Sequence, residues 1–269
     1  MKTIIIPTDF SLNSIKAIDF AADYFNQSGN TLIICHVYDI PVGGTSGLFT
    51  LLEQLKRQAD KDMKELTGAL EAKYSDKKFT FESKVLQGNF EDQVNALSIQ
   101  KKADFAILGT KGASGMQDIF IGSNAAKLLK NVELPVFAIP TNYNKSAINE
   151  VLFSYDGNEI EQQDIQLMVE FSKDNNLPIK VLHVRTEDES PIQNWDEMEA
   201  LFNDKHISLH EVAAKNYQEG LKKGIEGLSS ILVLVRRKKS FWERLVNDSD
   251  TQKTVRHFQL PILVLPDRD

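Results

Sequence analysis

Short apolar runs alternate with longer amphipathic stretches along the first half of the chain. The runs at 3–6, 32–37, 105–108 and 136–139 have the length and continuity typical of strands buried on both faces of a parallel sheet. The segment 79–85 alternates apolar and polar positions more evenly. It is therefore expected to form a strand nearer an edge.

The segments between these runs carry apolar residues at helical spacing. A first helix is predicted from a single apolar face formed by Ile15, Ile18, Ala22 and Phe25. A long helix is predicted around 50–74, and a shorter one around 91–101 whose Val94 and Leu97 face inward. Strands separated by helices pair in parallel through right-handed crossovers, which predicts an open, doubly wound α/β sheet. Ligands of such sheets bind beyond the carboxyl ends of the strands.

The chain also repeats itself. The pattern Leu-Pro, four apolar residues and Pro stands at 134–140 and again at 260–266, an offset of 126 residues. The segment 4–9 recurs at 151–156, an offset of 147 residues. The offset falls from 147 to 126 residues, so the second copy is 21 residues shorter than the first between its second and fourth strands. We expect two tandem domains, at 1–143 and 148–269, joined by a short polar stretch.

Glycines follow the fourth predicted strand. Gly109, Gly112 and Gly122, with Ser123, form the pattern G-x2-G-x9-G-S. Glycine lets backbone N–H groups approach phosphate oxygens with no Cβ in the way. A helix is predicted over 124–130 with Ser123 as its N-cap, so a phosphate would meet the positive end of a helix dipole. Spacing alone leaves two interpretations open: a nucleotide cradle, or glycines that serve turns.

The second copy lacks these glycines. At the offset of 126, the positions of Gly109, Gly112, Gly115 and Gly122 are taken by Val235, Lys238, Phe241 and Asp248. Side chains would fill the space of the phosphates, and a carboxylate would repel them. We expect no phosphate cradle of the same kind there.

A basic run, 236–239, stands out in the second copy. It could bind a different anion through side-chain cations. The other interpretation, a solvated loop, is favoured because charge runs usually lie on the surface.

Composition limits the classes of function. The formal net charge is −7, which argues against a protein that wraps nucleic acid. The single cysteine, Cys35, cannot form an internal disulfide and fits a reducing compartment. No run of 18 apolar residues is present, so we expect no membrane span and a cytoplasmic location.

Catalytic constellations are not evident. His36 and His183 stand at equivalent strand ends, without acidic or thiol partners at metal-ligand spacing. A zinc site at His206 and His210 would need further ligands that the sequence does not offer. We expect no metal site and no dedicated enzyme, at most slow hydrolysis of a nucleotide bound at the glycines.

Taken together, the glycine pattern, the opening Ile-Pro-Thr-Asp, the His-Val after the second strand and the closing Leu-Pro-Val-x-x-Ile-Pro resemble the universal stress proteins. The resemblance covers the whole chain as a tandem pair. It implies two Rossmann-like sheets of the adenine nucleotide alpha hydrolase-like kind. It also implies that Gly109, Gly112, Gly122 and Ser123 hold the phosphates of ATP or a related adenine nucleotide, with Asn124 at the helix start.

The resemblance extends to the first two strands. It places Asp9 beside the nucleoside, next to Pro7 and Thr8, and Val37 at the adenine edge. Two plainer interpretations remain: Asp9 as a helix N-cap, and Val37 as a core residue. The nucleotide could bind with or without a magnesium ion.

Family members pair through their last strands. Here 136–139 and 262–265 would pair antiparallel within one chain and make a pseudo-dimer, with further homodimerisation left open. The expected function is regulatory nucleotide binding in the stress response. A weak nucleotide hydrolase and an interaction protein that binds no nucleotide are the alternatives.

Overall fold

The computed structural model describes residues 1–39, 48–110, 122–155, 162–186, 207–236 and 260–266. Within these ranges ten strands form one sheet in the order β3-β2-β1-β4-β5-β10-β9-β6-β7-β8. The strands are β1 Thr3–Pro7, β2 Thr31–Tyr38, β3 Thr80–Gln87, β4 Phe105–Gly109, β5 Val136–Ile139, β6 Glu150–Ser154, β7 Ile179–Arg185, β8 Ile207–Ala213, β9 Ser230–Val235 and β10 Ile262–Leu265.

Helices connect the strands on both faces of the sheet. The α-helices within the described ranges are α1 Leu12–Tyr24, α2 Leu48–Lys73, α3 Phe90–Lys101, α4 Ser123–Asn131, α5 Gln162–Asp174 and α6 Tyr217–Ile225. A short 3-10 helix, Lys145–Ala147, lies between β5 and β6. None of the helices among the described residues is long and apolar enough to cross a membrane.

The sheet consists of two parallel halves. We call β1–β5 the N-terminal half and β6–β10 the C-terminal half. Within each half the strands pair in parallel, whereas β5 and β10 pair antiparallel at the centre, with Phe137 opposite Leu263. The predicted antiparallel contact between 136–139 and 262–265 is therefore present. The α/β class is confirmed, and β3 is an edge strand as its alternating pattern indicates.

An aromatic cluster joins the halves on one face of the sheet. The ring of Phe171 in α5 lies 5.1 Å from that of Phe137 in β5 and 5.5 Å from that of Phe25. Phe20 in α1 packs on Phe137 at 5.1 Å. Because these rings are nearly or fully buried, their burial contributes strongly to holding the two halves together.

Polar contacts supplement this cluster at its margin. Lys2 Nζ donates to Glu170 Oε2 at 2.7 Å, which links the start of β1 to α5. The Tyr143 hydroxyl, just after β5, donates to Asp23 Oδ2 at 2.9 Å. The segment between β5 and β6 is thereby tied to α1.

Candidate functional site

A cavity of about 240 Å³ opens at the carboxyl ends of β1, β2 and β4. This is the edge at which doubly wound sheets bind ligands. Of the nine predicted site residues, eight line this cavity: Pro7, Thr8, Asp9, Val37, Gly109, Gly122, Ser123 and Asn124. The ninth, Gly112, lies outside the described residues. The structure thus brings together residues that are more than a hundred positions apart in the sequence.

The turn from β1 into α1 forms one wall. Thr8 is buried, and its Oγ1 accepts from the backbone N–H of Phe10 at 3.0 Å and bonds the Ser14 hydroxyl at 2.8 Å. Phe10 has φ 61°, in the left-handed region that bulky residues rarely adopt. Asp9, exposed beside the cavity, accepts from the N–H of Ser11 at 3.1 Å.

The N-cap of α1 is Ser11, whose hydroxyl oxygen accepts from the N–H of Ser14. The alternative interpretation of Asp9 as the cap of this helix is therefore wrong. Asp9 orders the turn that precedes the cap and presents its carboxylate at the mouth of the cavity. Asp and Ser are equally good caps, so the sequence could not decide between them.

His36 also lines the cavity, although the sequence indicated it only as a possible catalytic or metal-binding residue and as part of the His-Val pattern. Its Nδ1 lies 2.8 Å from the carbonyl oxygen of Thr8, and a carbonyl can only accept, so Nδ1 carries a hydrogen. Its ring also packs against that of Phe10, with 4.5 Å between the ring centroids and a tilt of 35°. His36 precedes Val37 on a strand that ends at the cavity, and that position was the available signal. Ser14, Phe90, Leu108 and Ala125, which also line the cavity, were missed as well.

The amino end of α4 forms the opposite wall. The N-cap is Gly122, with no side-chain cap bond, and Ser123 is the first helical residue. The prediction of Ser123 as N-cap is therefore wrong by one position. The first intrahelical bond runs from Ala126 N to Gly122 O at 2.9 Å. The N–H groups of Ser123, Asn124 and Ala125 consequently have no intrahelical acceptor, and all three residues line the cavity.

Gly109 has a packing role at the end of β4. A Cβ at this position would lie 2.4 Å from Nδ2 of Asn13, at the start of α1. Glycine is needed here because a helix approaches the strand closely. Gly122 has φ −55° and ψ 152°, which any residue can adopt, so its conformation does not require glycine.

The C-terminal half differs at the corresponding edge. Val235 ends β9, while Lys238, Phe241 and Asp248 lie outside the described residues, as do Asp156 and His206. Tyr217, at the start of α6, hydrogen-bonds the buried hydroxyl of Ser154 at the end of β6.

His183, equivalent to His36 in the repeat, is 5% exposed, and neither of its ring nitrogens has a hydrogen-bond partner among the residues that the structure describes. Among the described residues no group of three His, Cys, Asp or Glu could hold a metal ion.

The parallel halves define the chain as a doubly wound α/β protein, with a cavity at the carboxyl edge of its N-terminal half. The sequence profile of the universal stress protein family matches residues 1–140, so the chain belongs to that family.

Relatives agree with this assignment. A universal stress protein of Methanocaldococcus jannaschii is 26% identical over 141 residues, covering 51% of this chain and 81% of its own. One from Synechocystis is 23% identical and covers 98% of this chain and 99% of its own. The crystal structure of a universal stress protein from Archaeoglobus fulgidus superposes with a TM-score of 0.74 at 18% identity, covering 99% of this chain and 97% of that chain.

Proposed function

We propose that the N-terminal half binds an adenine nucleotide, ATP or a close relative, and that the protein regulates a stress response through this occupancy. The two halves correspond in this proposal to domains at 1–143 and 148–269, which form a pseudo-dimer within the chain. A cytoplasmic location is part of the same proposal.

One observation carries the proposal: three backbone donors without intrahelical acceptors face a cavity. The N–H groups of Ser123, Asn124 and Ala125 stand at the positive end of the α4 dipole. Phosphate oxygens are the acceptors that such a helix end favours. Gly122 adds no side chain between the helix end and the cavity.

The opposite wall fits the remainder of a nucleotide. Val37 offers backbone groups at the end of β2, and the exposed Asp9 carboxylate can accept from hydroxyl donors such as those of a ribose. The volume of about 240 Å³ lies just under the range of roughly 300–1,000 Å³ that is usual for small-molecule sites. Among the described lining residues Asp9 carries the only carboxylate, and it could share a magnesium ion with the phosphates.

The C-terminal half is proposed to bind no ATP in this manner. Val235 stands where the N-terminal half has Gly109. The hydrogen bond between Tyr217 and Ser154 connects the start of α6 to the end of β6. Phe90 starts α3 as Tyr217 starts α6, and Pro7 ends β1 as Ser154 ends β6. Neither Phe90 nor Pro7 has a hydroxyl group, and both line the cavity.

Equilibrium binding of ATP to the full chain tests the proposal, with Gly122→Asp as the decisive variant. The φ and ψ angles of Gly122 suit any residue, and Asp is a favourable N-cap, so this variant is expected to remain folded. Its carboxylate would accept from the α4 donors and repel phosphates. ATP binding should therefore be lost.

Gly122→Ala is the matched control, since it adds a Cβ without a charge, and it should retain most of the affinity. Equal affinity of the wild type and Gly122→Asp for ATP would overturn the proposal. The same samples report ATP turnover: hydrolysis above background that is lost in Asp9→Ala, with binding intact, would favour the hydrolase alternative.

A further inference from the structure

Arg236 of the C-terminal half contacts a helix of the N-terminal half. Its Nη1 donates to the carbonyl oxygen of Val132 at 2.7 Å and lies 3.4 Å from that of Leu129. Its backbone N–H donates to Leu265 O at 2.9 Å, which fixes it at the end of β9 beside β10. Arg236 is half-buried. It is the first residue of the basic run for which a solvated loop was favoured, and that interpretation does not describe it.

The two acceptors lie at the carboxyl end of α4. The last carbonyls of a helix have no intrahelical donor, and a cation there also stabilises the negative end of the helix dipole. Val132, the C-cap of α4, and Leu129 are buried. Because the acceptors sit in a buried environment, the arginine contact fixes the position of this helix end.

The same helix presents its amino end to the candidate nucleotide site. A helix of nine residues is only about 14 Å long, and its backbone hydrogen bonds connect its two ends. A shift at its carboxyl end therefore changes where the N–H groups of Ser123, Asn124 and Ala125 point.

The residue equivalent to Arg236 in the N-terminal half makes different contacts. Thr110 is the repeat equivalent of Arg236, and its N–H donates to Ile139 O at 3.0 Å, as that of Arg236 does to Leu265. The carbonyl of Thr110, however, accepts from Gly122 N at 2.7 Å within its own half. The threonine side chain is far shorter than that of arginine. Arg236 thus provides a contact that the repeat does not duplicate.

We propose that Arg236 is a positioning residue for the phosphate side of the nucleotide site. It acts by holding the carboxyl end of α4. A residue of the C-terminal half, which lacks the glycine pattern, thereby positions the backbone donors at the amino end of α4 in the N-terminal half. The inference rests on the proposed function of the N-terminal site.

The experiment compares ATP with adenosine in the full chain, adenosine being measured by competition. Because Arg236 acts on the helix end that meets phosphates, Arg236→Gln should weaken ATP binding about tenfold and leave adenosine affinity unchanged. Arg236→Lys keeps a charged donor and should recover part of the ATP affinity. Arg185→Ala is the matched control. Arg185 also belongs to the C-terminal half, but its ion pair with Glu211, at 3.0 Å, lies on the surface. This variant should change neither the ATP affinity nor the adenosine affinity.

Two results would overturn the inference while leaving the proposed function intact. They are unchanged ATP affinity in Arg236→Gln, and equal losses for ATP and adenosine, which would indicate general damage to the fold. A wild-type protein that binds neither ligand would instead overturn the nucleotide site itself.

Discussion

A Cβ atom on Gly109 would lie 2.4 Å from Nδ2 of Asn13 and 2.7 Å from its carbonyl oxygen. We therefore expect Gly109→Ala to force α1 away from β4. The loss of stability should be about 1–3 kcal/mol, the range for overpacked positions, and it should appear without any nucleotide. Urea denaturation of the ligand-free protein measures this.

Gly68 provides the matched control. It is exposed inside α2, and an added Cβ would meet nothing within 4 Å. Gly68→Ala should stabilise the protein by about 0.5–1 kcal/mol, since glycine is unfavourable in a helix interior. If Gly109→Ala were as stable as the wild type, the close approach of Asn13 would not be what selects glycine.

Tyr217→Phe removes the hydrogen bond to Ser154 and leaves a buried hydroxyl without that partner. A loss of about 1–3 kcal/mol is expected, as for other buried polar groups left unsatisfied. Thermal or chemical denaturation reports the change. Tyr38→Phe is the comparison, because its hydroxyl makes a long, exposed contact of 3.4 Å with Gln87, and its stability should stay close to that of the wild type.

Complete burial raises the pKa of the Cys35 thiol from 9.0 to about 12. The reactive thiolate is therefore nearly absent at pH 8 in the folded protein. Iodoacetamide should label the native chain at least about a hundredfold more slowly than the chain in urea. Labelling is followed by mass spectrometry, with Cys35→Ser giving the background. Comparable rates in both states would contradict the expected burial of this sulfur.

The hydrogen bond from Lys2 lowers the pKa of the Glu170 carboxyl below 4.5. A carboxyl whose pKa is lower in the folded state contributes stability above its unfolded pKa, and this contribution is lost as the pH falls through the folded value. Glu170→Gln should thus be less stable than the wild type at pH 7, by under about 1 kcal/mol because the pair is partly exposed.

The difference in unfolding free energy between the two proteins should shrink as the pH is lowered from 7 through the folded-state pKa of Glu170, and it should vanish at an acidic pH below that pKa. Glu65→Gln serves as the control, since the Lys61–Glu65 pair is well exposed at 3.9 Å, and it should show no difference at either pH. If the difference in unfolding free energy between the wild type and Glu170→Gln increased as the pH was lowered, Lys2 would not be stabilising the ionised carboxylate.

Local periodicity predicted the strands and the edge position of β3. The lining residues at the strand ends were predicted instead from the spacing of the glycines and from the family resemblance. The packing role of Gly109 was not predictable, since Asn13 approaches it only in the folded protein. The cap at Ser11 depends on Phe10 adopting φ 61°, a conformation that no propensity assigns to an aromatic residue. The reach of Arg236 to Val132 joins distant segments and leaves no signal in the repeat.

The antiparallel pairing of β5 with β10 determines where the carboxyl strand ends of each half lie. The carboxyl ends of the two halves point to opposite rims, which are separated by the strand length, about 17 Å for five residues. The rim with the cavity is therefore formed by the carboxyl strand ends of the N-terminal half alone, and the equivalent strand ends of the C-terminal half lie at the other rim of the same sheet.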